Sequence, residues 1–206
     1  MELFKRVLEY RTRYITVVLE DIHQAQNASA VLRSCECFGI QDVHIIENRN
    51  EYRINPDVVK GASKWLNVSR YKDKDYNTED SISTLRSKDY RIVATTPWEG
   101  SVPLEEFDIR KGKFALFFGT ELTGLSDGMM EQADEFLSIP MHGFTDSFNI
   151  SVSAAIILHH LSMELHRSDV SWKLGESERD ELLIRWLNKS IKHLRGKSPD
   201  AMDNLD

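Results

Sequence analysis

Short apolar runs, each about the length of a buried strand, recur along this chain with helically spaced segments between them. Tyr14 to Leu19 (YITVVL) is β-branched and apolar, and Asn27 to Phe38 follows with Ala30, Val31, Cys37 and Phe38 at helical spacing before Gly39 stops the helix. Val43 to Ile46 is a second strand, and strand, helix, strand is the mark of a parallel sheet. The pattern then repeats. A short helix opens at Pro56 and runs toward Ala62, a strand covers Leu66 to Tyr71, a helix covers Thr78 to Ser87, and Tyr90 to Thr95 is a strand that Pro97 ends. A polar linker, 98 to 113, precedes Phe114 to Phe118 (FALFF), the most apolar strand, which is predicted to be central and covered on both faces.

After that strand come the loop Gly119 to Ser126, a short helix over Asp127 to Ala133, and a strand over Phe136 to Ile139 that Pro140 stops. Gly143 is expected to permit a tight turn. From Ile150 the pattern becomes a helix ending near Arg167, with Ile150, Ala154, Ile157, Leu158, Leu161 and Leu165 on one face. A strand, a crowded polar loop and the first turn of an apolar helix expose several backbone donors together, an arrangement suited to holding a ligand. The segment 168 to 176 is a loop, and Glu176 to His193 is a final amphipathic helix turning Leu182, Leu183, Trp186, Leu187 and Ile191 inward. The expected organisation is a basic N-terminal helix over 1–13, an α/β domain over 14–167, a helical extension over 168–197 and a disordered acidic tail over 198–206.

Composition changes little of this. With 206 residues, 41 % of them hydrophobic, one full core can be buried. Cys35 and Cys37 lie two apart in a helix and diverge, which indicates neither a disulfide nor a metal pair, and no run approaches a membrane span or a signal peptide. The expected setting is a reducing cytoplasm, with neither metal nor membrane as partner.

Charge is more informative. The net charge of −7 argues against nucleic acid, yet both ends are locally basic: Lys5, Arg6, Arg11 and Arg13 at one, Arg185, Lys189, Lys192, Arg195 and Lys197 at the other. These are either solvated helix faces or contacts for phosphates.

Nucleotide and metal motifs fail. Gly119 and Gly124 have P-loop spacing, but Leu125 stands where the lysine belongs; no GxGxxG follows the first strand, and His159-His160 lack ligand partners at metal spacing.

Three stretches carry a specific signal in their order: Asn27-Ala-Ser-Ala-Val-Leu-Arg33 with Phe38-Gly39, Phe117-Phe-Gly-Thr-Glu121 with Gly124-Leu-Ser126, and Ile139-Pro-Met-His-Gly143 with Ser147-Phe-Asn-Ile-Ser-Val152. Over roughly residues 14 to 166 the set resembles the SpoU branch of the SPOUT family, the ribose 2′-O-methyltransferases of RNA, and Gly61-Ala-Ser-Lys-Trp65 with the terminal helices resembles its TrmH-type tRNA guanosine enzymes.

The resemblance implies a parallel sheet with a C-terminal deep trefoil knot, S-adenosylmethionine as cofactor, RNA and in particular tRNA as partner, and a homodimer. It places Thr95, Gly119, Ile139 and Phe148 around the cofactor, with Phe148 and Ile150 standing where many members carry Leu and Val. It assigns the chemistry to Asn27, Arg33, Glu121, Ser147 and Asn149. Arg33 is the residue expected at the ribose oxygen, as a base or, more cheaply for a guanidinium, as a stabiliser of the alkoxide. Asn27 could also simply cap its helix. The basic ends then have a use, gripping phosphates beside a D-loop guanosine. A wobble nucleotide, ribosomal RNA, or RNA binding without catalysis are the competing readings.

Overall fold

The structure, a computed structural model, describes residues 1–98 and 100–195, with side chains as far as residue 191. The expected tail, 198–206, lies outside the described residues. Seven strands, β1 (Ile15–Glu20), β2 (Asp42–Ile46), β3 (Asn67–Tyr71), β4 (Arg91–Thr95), β5 (Val102–Pro103), β6 (Phe114–Phe118) and β7 (Glu135–Ser138), form one sheet in the order β3-β2-β1-β6-β4-β7-β5. Every neighbouring pair is parallel. β6 occupies the middle of the sheet with every residue buried, as its unbroken apolar run requires.

Side-chain alternation sends β6 into two cores. Phe114, Leu116 and Phe118 join Ile15, Val17 and Leu19 of β1 against α2 (Ala25–Cys37) and α6 (Ile150–Arg167). Ala115 and Phe117 point the other way, with Val18, onto α4 (Thr78–Arg86) and α5 (Asp127–Glu131), which contribute Ile82, Leu85 and Met129. The inward face read for α6 is the one that is buried. α3 (Pro56–Val59) and a single turn over Ala62–Lys64 complete the first layer.

The linker 98–113 is not plain loop. Val102 and Pro103 pair with Leu137 and Ser138 as an edge strand, which a proline tolerates, and Leu104, Phe107 and Ile109 drop into the core from two short turns.

The terminal helices α1 (Glu2–Leu8) and α7 (Glu176–Arg195) pack together over a small separate core of Leu8, Leu174, Leu182 and Trp186. Ile191 departs from the expected inward face and is 45 % exposed. Arg11 departs further. Its side chain is only 1 % exposed, ion-paired to Glu36 at 2.7 Å, bonded to the Ile40 carbonyl and stacked 5.3 Å from the Trp186 ring, so it is a structural cation rather than a phosphate contact. Arg13 is likewise engaged, by Asp42 at 3.1 Å and Glu178 at 2.6 Å. Among the described residues no helix is long and apolar enough to cross a membrane.

Two stability predictions follow from this packing. Arg11→Ala is expected to cost about 3 kcal/mol in urea unfolding, the low end for a broken buried pair because Glu36 remains 28 % exposed. Buried His44, its Nδ1 2.9 Å from the Tyr71 hydroxyl, is held by burial, and secondarily by Lys88, down to about 4 from 6.5. The unfolded chain therefore takes up this proton first as pH falls. His44 contributes fully above pH 6.5, and roughly 3 kcal/mol is lost as pH drops toward 4; unfolding of wild type and His44→Gln at both ends of that window checks it, the variant showing the smaller decline.

Candidate active site

Strand order reverses direction between β1 and β6, and ligands of open parallel sheets bind beyond the carboxyl ends of strands at such a point. Chain segments leaving β1, β4, β6 and β7 converge there. The loop after β6 is folded tightly onto itself: Thr120 N–H donates to the Gly124 carbonyl at 2.9 Å and Gly124 N–H to the Thr120 carbonyl at 3.0 Å. A Cβ on Gly119 would lie 2.2 Å from the Gly124 backbone, so only glycine permits that closure. Gly143, expected to be needed for a turn, lacks a left-handed φ and has no atom closer than 4.0 Å to where a Cβ would stand; its loop does not require glycine.

Three predicted residues meet at one carboxylate oxygen. Glu121 Oε1 accepts from Asn27 Nδ2 at 2.7 Å and from Asn149 Nδ2 at 2.6 Å, while Asn149 Nδ2 also reaches Asn27 Oδ1 at 3.2 Å. Asn149 holds the start of α6 with its other end, Oδ1 accepting from Ser151 N–H at 2.9 Å and from its hydroxyl at 2.6 Å. Asn27 caps nothing. The cap position of α2 is Gln24, so the amide of Asn27 inside the first turn is committed to Glu121 and Gln24.

A fourth polar group was not read from sequence. Glu20, at the end of β1 and 2 % exposed, accepts from the Thr78 hydroxyl at 2.6 Å and from both the backbone N–H and hydroxyl of Ser126 at 2.8 Å. A lone acid closing an apolar strand was the only available signal.

Arg33 and Ser147 lie outside this network. Both are exposed, and Arg33 follows Asn27 by six residues on α2, beyond the face that meets Glu121. Ser147 does line a cavity of about 540 Å³ together with Thr95, Gly119, Ile139, Phe148 and Glu121. Thr95 fixes one wall by donating its hydroxyl to the Phe117 carbonyl at 2.7 Å. A neighbouring cavity of about 770 Å³ shares Glu121 and the loop 120–126.

The cations at the ends divide. Lys5 and Arg6 are exposed on α1, Lys189 already donates to the Lys64 carbonyl at 2.6 Å with its pKa lowered by burial, and the side chains of Lys192 and Arg195 lie outside the described residues.

Fold and site together define an α/β protein of the parallel-sheet SPOUT type, with a cofactor-sized cavity between loops at the strand ends. Residues 14–159 match the model of the SpoU rRNA Methylase family, and the chain belongs to that family. It is 45 % identical to the tRNA (guanosine(18)-2′-O)-methyltransferase of Borreliella burgdorferi over 92 % of this chain and 84 % of that protein. The crystal structure of the TrmH/SpoU tRNA modifying enzyme of A. aeolicus superposes with a TM-score of 0.79 at 27 % identity, covering 92 % of this chain and 97 % of that one. In fold alone the chain also matches the SpoU methyltransferase AviRb from Streptomyces viridochromogenes, solved with AdoMet, at a TM-score of 0.65 and 21 % identity over 78 % of this chain and 64 % of that one.

Gly119→Ala is expected to push the loop off its own backbone, so that the Thr120 and Gly124 amides exchange with solvent at least tenfold faster in hydrogen-exchange experiments, while Gly143→Ala leaves them unchanged.

Proposed function

We propose that this chain is an S-adenosylmethionine-dependent ribose 2′-O-methyltransferase acting on guanosine 18 of tRNA. The observation that carries the reading is the cavity that gathers Thr95, Gly119, Ile139, Phe148 and Ser147, with Glu121 shared between it and the adjoining cleft. The residues suit the cofactor: apolar Ile139 and Phe148 offer surface for a planar ring, and about 540 Å³ falls within the usual range for a small-molecule site. S-adenosylmethionine, when bound, supplies a methyl group already activated on a sulfonium. What remains for the chain is to position a ribose hydroxyl and favour its alkoxide.

In this reading Glu121 holds Asn27 and Asn149 so that they present fixed polar atoms to the ribose, and Ser147 bonds the cofactor or the ribose from the opposite wall. Arg33 supplies positive charge to the developing alkoxide, remaining protonated throughout. Its distance along α2 from the Glu121 network supports a site completed by a second copy. The exposed apolar Val152 and Met163 on α6, beside exposed Phe148, support a homodimer across that helix. The position of β7 between the earlier strands β4 and β5 supports the trefoil knot of the family. Lys5 and Arg6 are the exposed N-terminal cations offered to phosphates. The named activities of the relatives from B. burgdorferi and A. aeolicus favour tRNA over ribosomal RNA.

Calorimetry is expected to show S-adenosylmethionine binding to the isolated protein, and mapping of methylated tRNA to place the mark on the D-loop guanosine. A mark on a wobble ribose or on ribosomal RNA would keep the chemistry and overturn the substrate. Arg33→Ala and Arg33→Lys are both expected to lose methyl transfer with cofactor affinity held within a few-fold, since a point charge does not replace the planar fork; near-normal turnover in either would move the chemistry elsewhere.

A further inference from the structure

The larger cavity, about 770 Å³, has a wall that methyl transfer as described above leaves without a task. That wall is held by its own hydrogen bonds. Asp21, at φ 55°, accepts from the backbone N–H groups of Asn48 at 2.7 Å, Arg49 at 2.8 Å and Asn50 at 3.3 Å. Asn48 in turn accepts from Asn77 N–H at 2.6 Å and donates to the Thr78 hydroxyl at 2.9 Å, and buried Asn77 donates to the carbonyls of Glu47 at 3.0 Å and Lys74 at 2.8 Å.

This frame carries Tyr76 into the cleft. Its hydroxyl stands 3.2 Å from Ser126 Oγ, and a Cβ on Gly128 would come within 2.4 Å of that hydroxyl, so the approach depends on a missing side chain. The ring is nonetheless 44 % exposed. Asp75, beside it and also facing the cavity, has no hydrogen-bond or ion-pair partner among the described residues.

The charge of the lining decides what can enter. Glu20, Asp21, Asp75, Glu121 and Asp127 line the cleft against the single guanidinium of Arg49, so a phosphate would be repelled, and the part of a nucleotide that suits the cleft is a base edge rich in donors. Guanine is that base. Its N1–H and N2–H are adjacent and match the two oxygens of one carboxylate, whereas adenine presents a bare N1 that a carboxylate opposes. Unstacked bases recognised in single-stranded loops are also commonly laid on an aromatic ring.

We propose that Asp75 and Tyr76 select the target base, the Asp75 carboxylate accepting from guanine N1–H and N2–H and the Tyr76 ring stacking on its face. This rests on the methyltransferase reading. It extends that reading from the ribose, which any nucleotide offers, to the base.

The test uses the full chain with tRNA transcripts carrying guanosine or inosine at the target position, inosine keeping N1–H and lacking the N2 amine. Wild type is expected to favour guanosine about tenfold in kcat/KM. Asp75→Asn should lower kcat/KM on guanosine about ten- to a hundredfold and bring the guanosine to inosine ratio close to one, with calorimetric binding of S-adenosylmethionine unchanged as the sign of a folded variant. Tyr76→Ala should raise KM for tRNA, and Tyr76→Phe, which keeps the ring, should restore it. An active wild type whose base preference is the same in Asp75→Asn, or whose activity on both transcripts falls equally, overturns the base assignment alone. A folded, cofactor-binding wild type that methylates no tRNA overturns the methyltransferase reading, and the base assignment with it.

Discussion

A buried carboxylate holds the functional end of this molecule in place. Glu20 closes β1 almost without solvent, and an ion so placed costs several kcal/mol unless donors surround it. Its donors come from two distant places, Thr78 at the start of α4 and Ser126 at the start of α5. One strand end and two helix starts are therefore fixed relative to one another at a single point, and loops that would otherwise move independently share one frame. Each segment satisfies a polar group that the next would leave buried and unpaired, which makes the arrangement cooperative.

Loop 119–126 shows what that frame achieves. One end is locked by the backbone closure that Gly119 allows, the other by Ser126 on Glu20, and Glu121 lies between the two fixed points. Its carboxylate accepts two amides through one oxygen, and the second amide also caps α6. The side chains facing the two cavities are thus set by backbone geometry before any ligand arrives. Preorganised polar atoms of this kind lose little to reorientation during a reaction, and their effect grows where water is excluded.

How much of this was legible in sequence follows the physics of each feature. Burial on both faces leaves a mainly apolar run, unbroken in β6 and interrupted by Thr16 in β1 and His44 in β2, so these three strands and the order of strand and helix could be read directly. β5 could not, because two residues with a proline leave no period to detect. The triangle of Asn27, Glu121 and Asn149 was reachable only through motif order, since nothing local ties residue 27 to residue 121. Glu20 was invisible for the opposite reason: an acid at a strand end ordinarily faces water, and only the donors brought by α4 and α5 reverse that expectation.

Charge was the feature read least well. A count of cations near the ends takes no account of desolvation, and Arg11 shows the consequence: the same guanidinium that could meet a phosphate instead stacks on Trp186 and neutralises Glu36. Arg13 and Lys189 are also held by internal partners. In a chain of net charge −7, phosphate attraction then has few exposed N-terminal sources, chiefly Lys5 and Arg6. Backbone contacts place an RNA without reading it, so in the proposed function discrimination falls to the shape and polarity of the strand-end clefts. Under the proposed function the acidic cleft suits that division: it would repel phosphate and leave base and ribose as the groups it can hold.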